Sequence, residues 1–315
     1  MAEESPRKRI KIGKEGQEDE GERDPIRSAV ECKCILGESP VWDEDLHVLY
    51  FVDINGKKVH SHSPKDGSFK TWELEGEVGC VVPGPDRRRV YAAVVDSIFE
   101  VDVEKEGKEA VRKLATLPEG ECPSGFRFND GKCDPQGRLW IGTMNKQWRD
   151  EKAPRGKLYV LDKDGKFRTS DGRTTFEWND MVQETWTVSR FDYDDKDGSI
   201  EVGSRKEVVK IPTAGDGGGV PDGMTIDADG LLWVTLGEGG AVAQYDAETG
   251  EEVQRFKLPV KRPTACTFGG EDLQELYITT REETGQEPSA AAGHLLVAKL
   301  DKSKGHAAAW RCKAI

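Results

Sequence analysis

The chain has no apolar run near the roughly 20 residues that a membrane helix needs, and no apolar segment at its N-terminus of the kind that directs secretion. The sequence therefore predicts a protein that stays inside the cell, in the cytoplasm and off the membrane. It also lacks any CxxC pair. Its seven cysteines, an odd number, are scattered from Cys32 to Cys312, so neither a disulfide framework nor a zinc ribbon is predicted and reduced thiols are. No GxSxG or HExxH occurs, which removes support for serine-hydrolase and zincin chemistry. The glycine-rich stretches "GDGGGVPDG" and "GEGGAV" have neither dinucleotide nor P-loop spacing and open no helix, so they read as flexible loops. Positive charge is short as well: 46 Lys and Arg against 59 Asp and Glu leave a net charge of −13, which argues against a nucleic-acid or anionic-membrane partner.

Helical periodicity is nearly absent. What recurs instead is a turn rich in Asp or Gly followed by an apolar and aromatic strand, six times: "WDEDLHVLYFVD", "GPDRRRVYAAVV", "DPQGRLWIGTM", "SDGRTTFEWND", "DADGLLWVTL" and "GGEDLQELYITT". Their aromatic anchors are Tyr50, Tyr91, Trp140, Phe176, Trp233 and Tyr277. Repeats of roughly 40 to 50 residues made of short antiparallel strands describe propeller blades, so the fold class is all-β and the architecture a six-bladed β-propeller. Five copies have an apolar segment before the turn, "GESPVW", "VGCVVPG", "FNDGKCD", "PDGMTID" and "PTACTFG", which would line the central channel. The fourth has only "KFRT" there, so its blade is expected to be incomplete.

Residues 1–28 hold seven Lys and Arg and eight Asp and Glu with almost nothing to bury, which predicts a disordered tail before a single domain at 29–315. Within the tail, "PRKRIKIGK" has the composition of a nuclear import signal. "AVECKCIL" is expected to close the ring by adding a strand to "HLLVAKL". The loop "YDDKDGSIEVGS" imitates a calcium-binding loop but has Tyr193 and Ser204 at its terminal ligand positions, so it reads as a solvated hairpin turn. His60 and His62 alternate on one strand face and are expected to face solvent. Asp227 and Asp229 have turn chemistry, whereas Asp222 follows Pro221 at the head of an apolar run, where a carboxylate must be solvated, paired or bound to a cation.

The blocks "GESPVWDEDLHVLYFVDINGKKVH", "FRFNDGKCDPQGRLWIGTM", "RFDYD", "PDGMTIDADGLLWV" and "RPTACTFGGEDLQELYITT" occur in an order that resembles the senescence-marker-protein/gluconolactonase/regucalcin-like family, over about residues 30–300. The resemblance implies a six-bladed propeller with one divalent metal on its axis, serving hydrolysis of sugar lactones or other small esters. It implies that Glu38 and Asp222 bind the metal, that Asp222 is also the general base, that Arg127 and Asn129 contact substrate, and that Asp130 supports them. The oxygen donors suit Ca²⁺ and Zn²⁺, with Mn²⁺ or Mg²⁺ as further occupants. A third family ligand, an asparagine in an "SNG" motif on the fourth inner strand, is absent. Asn179 is the nearest asparagine, at the outward end of another strand. After "GTM", where some relatives carry an acidic residue, this chain has "NKQW". The expectation is a metal-dependent lactone hydrolase that acts on a small molecule as a monomer. The alternative is a catalytically impaired, regucalcin-like calcium-binding or regulatory protein.

Overall fold

The computed structural model describes residues 26–147, 150, 152–169, 186–212, 217–285, 287–306 and 310–314. Within them the regular structure is β-strand apart from one 3-10 turn at Gly107–Ala110, and no helix is long and apolar enough to cross a membrane. Sheet I comprises Gly37–Asp43, Val48–Asp53, Lys58–His62 and Phe69–Glu73. Sheet II comprises Val78–Pro83, Arg89–Val94, Ser97–Asp102 and Val111–Thr116. Sheet III comprises Phe126–Cys133, Leu139–Asn145, Leu158–Leu161 and Phe167–Thr169. Sheet V comprises Val220–Ile226, Leu231–Gly237, Ala241–Asp246 and Glu252–Lys257. All are antiparallel meanders, the form of a propeller blade.

Sheet VI is Pro263–Gly269, Glu275–Thr280 and Leu295–Lys299, completed by Ile26–Val30 from the other end of the chain. The expected closure is therefore present, but the strand opens at Ile26 rather than Ala29. The reason is apolar: Ile26 is buried with Leu258, Leu296 and Leu300 in the core between sheets V and VI. The earlier part of the expected tail, with its basic cluster, lies outside the described residues. Sheet IV holds only Thr187–Asp194 paired with Ser199–Lys210, so five blades are complete and the expected fourth is represented by this pair among the described residues. Phe176, Asn179 and the turn "SDGRTTF" also lie outside them.

The first strands of sheets V, VI, I, II and III touch one another in that order, and so form the inner wall. Each carries one residue more than its neighbour can pair. Ser39 and Pro40 stand opposite Phe51, Asn129 and Asp130 opposite Gly142, Asp222 and Gly223 opposite Thr235, and Thr264 and Ala265 opposite Thr279. In sheet II the extra residue is Gly79. Such a bulge bends its strand and re-aims side chains. It also crowds the neighbours: a methyl group on Gly79 would overlap the backbone carbonyls of Phe128 and Asn129, so glycine is what lets sheets II and III approach.

The aromatic anchors Tyr50, Tyr91, Trp233 and Tyr277 are buried and Trp140 is half-buried. The two histidines correct the sequence reading. His60 and His62 are buried; His60 bonds Thr71 at 2.9 Å and stacks against Phe51 and Phe69, and desolvation pushes its pKa down to about 4. A period-two pattern identifies a face but not what covers it. The "YDDKDGSIEVGS" loop is the expected hairpin turn. Its Tyr193 hydroxyl donates to Asp134, which holds the buried Arg138, so sheet IV docks on sheet III.

Asp227 is more than a turn former. It is buried and accepts from the Trp233 indole N–H at 2.9 Å, the Gln244 amide at 2.6 Å and the backbone of Asp229 and Leu231. Asp227→Ala would leave those donors unmatched and is expected to cost about 3 kcal/mol or more in urea denaturation. Asp229→Ala, at the exposed tip of the same turn, is expected to stay within about 0.5 kcal/mol of the parent.

Candidate functional site

The bulges of sheets I, III and V bring three carboxylates from distant parts of the sequence into one field. Glu38 is the last paired residue before its bulge, and Asp130 and Asp222 lie within theirs. Desolvation raises the pKa of Glu38 well above the ordinary carboxylate range; the charges of Asp222 and Asp130 raise it further, against the Ser39 N–H and Arg127. Desolvation also lifts Asp222, to about 7, with Asp130 adding to the shift and Arg281 and the Gly223 N–H opposing it. Asp130 is raised by desolvation too, and is steadied by Lys132, the Gly131 N–H and the Ser39 hydroxyl. The charge of Asp130 is thus felt at both members of the expected pair, Glu38 and Asp222.

Arg127 is buried, with 6% of its surface exposed. One of its terminal nitrogens donates to the Phe128 carbonyl at 2.8 Å and to Asn129 Oδ1 at 2.7 Å. That contact fixes the Asn129 amide beside Asp130. Ser39 joins sheets I and II, because its hydroxyl accepts from the Val81 N–H at 3.2 Å, and it does so with a left-handed φ of 51°. A non-glycine residue in that region stores strain of order 1 to 3 kcal/mol, a cost the surrounding bulge must hold in place. Asn145 of "NKQW" is occupied within its own loop, donating to Pro154 O and accepting from Gln147 N.

The donor chemistry suits a hard divalent cation. Three carboxylates depress one another's ionisation, and a cation that they share would relieve that repulsion. Still, among the described residues no group of three or more His, Cys, Asp or Glu stands close enough to hold a metal. No inner strand occupies the fourth place among the described residues, and there Lys132 of sheet III reaches the Met224 carbonyl of sheet V at 3.5 Å. Met224 and Ile226 are 40% and 47% exposed on that side, unlike the corresponding positions of the other inner strands.

Sequence reasoning missed two contributors. Ser39 adjoins Glu38, but its backbone conformation leaves no signal in residue types. Arg281 follows the second strand of sheet VI, and only ring closure places it opposite Leu36, two residues before Glu38.

Residues 36–282 match the family model of the SMP-30/Gluconolactonase/LRE-like region. The chain is 35% identical to regucalcin of Danio rerio over 272 residues, 80% of this chain and 87% of that one. It is 33% identical to pentonolactonase XacC of Haloferax volcanii over 316 residues, 90% of this chain and 91% of that one. Among solved structures, a calcium-binding regucalcin from Agrobacterium tumefaciens superposes with a TM-score of 0.73 at 24% identity, over 89% of this chain and 95% of that one; this last likeness is one of fold.

The raised carboxylates make stability depend on pH in a defined direction. Between the ordinary aspartate pKa, about 3.9, and the folded value of Asp222, the folded state holds a proton that the unfolded state has released. Stability from this group is therefore lost as pH rises through about 7. With divalent cations removed, Asp222→Asn is expected to melt above the parent, with a gap that widens from pH 5 to pH 8 and then levels off. A gap constant across that range would show that Asp222 titrates normally.

Proposed function

Because the chain belongs to the SMP-30/gluconolactonase/LRE-like family, we propose that it is a metal-dependent hydrolase of sugar lactones with Asp222 as the general base. One observation carries this reading: Glu38, Asp130 and Asp222 converge from three inner-strand bulges, with Asp222 raised to about 7. A carboxylate with a pKa near the working pH accepts a proton from water more readily than an ordinary one.

Glu38 and Asp222 would hold one divalent cation, calcium or zinc, with manganese or magnesium compatible with the same oxygens. When bound, the cation supplies Lewis-acid polarisation of the lactone carbonyl. The protein's own residues do the rest. Asp222 takes the proton of the attacking water. Asn129, its Oδ1 already engaged by Arg127, is left with its amide N–H groups to donate to a sugar hydroxyl, and Arg127 holds that amide in place. The likeness to the Haloferax pentonolactonase supports a small sugar lactone as substrate.

A second reading, a catalytically impaired cation-binding protein, is favoured by the fourth place. There Lys132 bridges to Met224, and no oxygen ligand comes from an inner strand among the described residues.

Lactone hydrolysis assayed with Ca²⁺, Zn²⁺ and Mn²⁺ separates the two. Metal-stimulated turnover that falls by about a hundredfold or more in Asp222→Ala is expected of the enzyme. Calorimetric cation binding without turnover, and no effect of Asp222→Ala on the background rate, would establish the second reading instead.

A further inference from the structure

The backbone of Arg281 is held on both sides. Its N–H donates to the Arg262 carbonyl at 3.2 Å, its own carbonyl accepts from the Gly293 N–H at 3.1 Å, and it forms an isolated bridge with Leu36. The next residue, Glu282, donates its N–H to Ile35 at 3.2 Å. Sheets VI and I are also in close contact here, since a methyl group on Gly37 would stand 2.7 Å from the Thr280 carbonyl oxygen. Arg281, the residue after the strand Glu275–Thr280, is thereby locked against the start of the strand Gly37–Asp43 that carries Glu38.

The guanidinium on this fixed backbone is not consumed by the protein. Its Nε is buried without a hydrogen-bond partner. No ion pair to a carboxylate engages it among the described residues, whereas the neighbouring Arg262 is paired with Glu238 at 2.7 Å and Arg127 is bonded to Phe128 and Asn129. A buried donor left unmatched costs about 1 to 3 kcal/mol, so such a group is usually kept for a ligand. Its positive charge is felt at Asp222, which places it beside the carboxylate cluster rather than on the outer surface.

We propose that Arg281 is a substrate-binding residue that holds the carboxylate of an open-chain sugar acid. This rests on the lactonase reading for the identity of the acid. In lactone hydrolysis water adds to the carbonyl carbon, the ring C–O bond breaks, the ring oxygen leaves as a hydroxyl, and the new carboxyl group loses its proton to solvent. Negative charge thus appears on oxygens that were neutral in the lactone, within a cluster that is already acidic. A planar guanidinium is the group that can donate two parallel hydrogen bonds to a carboxylate, Arg281 has at least its Nε–H unmatched for this, and none of the three ionised acidic side chains can donate at all.

The test compares D-gluconate with D-glucitol, a neutral polyol of the same chain length, by titration calorimetry on the full chain in one calcium-containing buffer. The parent is expected to prefer gluconate. In Arg281→Met and Arg281→Gln that preference should fall by at least about tenfold, with glucitol affinity changed by less than about threefold. Either variant suffices if the other does not fold, and Arg281→Lys, which keeps the charge without the fork, should retain part of the preference. A parent with no preference, or variants that keep it, would overturn the proposal. Loss of the gluconate preference in the variants of a protein that hydrolyses no lactone would support Arg281 as the acid-binding residue while refuting the enzyme. Lactone turnover with the gluconate preference unchanged by substitution would do the reverse.

Discussion

The site depends on a mismatch in strand pairing. Each of the five inner strands carries one residue that its neighbour cannot match, and the excess falls at the same point of every strand. A regular strand would turn alternate side chains into the sheet's two faces and leave none directed along the axis. The bulge breaks that alternation at Ser39, Asn129, Asp130 and Asp222, so polar groups from three blades meet without any of them being placed in an apolar core. It also brings backbones close together. Thr264 Oγ1 donates to the Gly37 carbonyl at 2.5 Å, and Thr235 Oγ1 donates to the Thr264 carbonyl at 2.7 Å, which links sheets V, VI and I around the same level. The belt that displays the carboxylates is therefore the belt that holds the blades together.

Concentrating three carboxylates at that level has a cost that hydrogen bonding only partly offsets. Each is raised first by desolvation, and the nearby positive groups are either engaged elsewhere or set at the edge. Arg127 is bound to its own strand, Lys132 spans to Met224, and Arg281 stands on sheet VI, between the blades of Asp222 and Glu38. On the proposed reading the wall would favour an incoming cation and Arg281 an incoming anion. A substrate that is neutral on entry and anionic on exit suits both.

Much of this was legible in residue types, for reasons that can be named. The turn followed by an apolar strand repeats because every blade must bury the same layer, so the five complete sheets and all five inner strands could be placed from "GESPVW" and its counterparts. Asp222 stood out because a carboxylate at a strand entrance needs a reason, whereas Glu38 was singled out only through the family resemblance of "GES". Residue types alone did not show that Asp130 lies in a bulge where its charge is felt by Glu38 and Asp222. His60 and His62 were misread because the strand pattern "KVHSH" does not say that Phe51 and Phe69 cover it. Ile26 was assigned to the tail because one apolar residue beside a charged run has no period, although it completes a core made by residues far along the chain. Arg281 gives no local signal at all. Its significance comes from ring closure.

The fourth place is where repeat and chemistry meet. Among the described residues no inner strand pairs at this place, and there Met224 and Ile226 are exposed and Lys132 reaches the Met224 carbonyl. Lys132 also lies two residues from Asp130 and opposes its rise in pKa, so the group that spans the opening neutralises part of the charge that a cation would otherwise meet. Loss of a neutral ligand and gain of a nearby positive charge act in the same direction on cation affinity, since the first removes a bond and the second raises the local potential. In the proposed site Glu38 and Asp222 are the carboxylate pair left to hold a cation: Lys132 reaches the carbonyl of Met224, only two residues from Asp222, whereas Glu38 stands on sheet I beside the strained Ser39 backbone, which would matter more here than in a site with a full set of ligands.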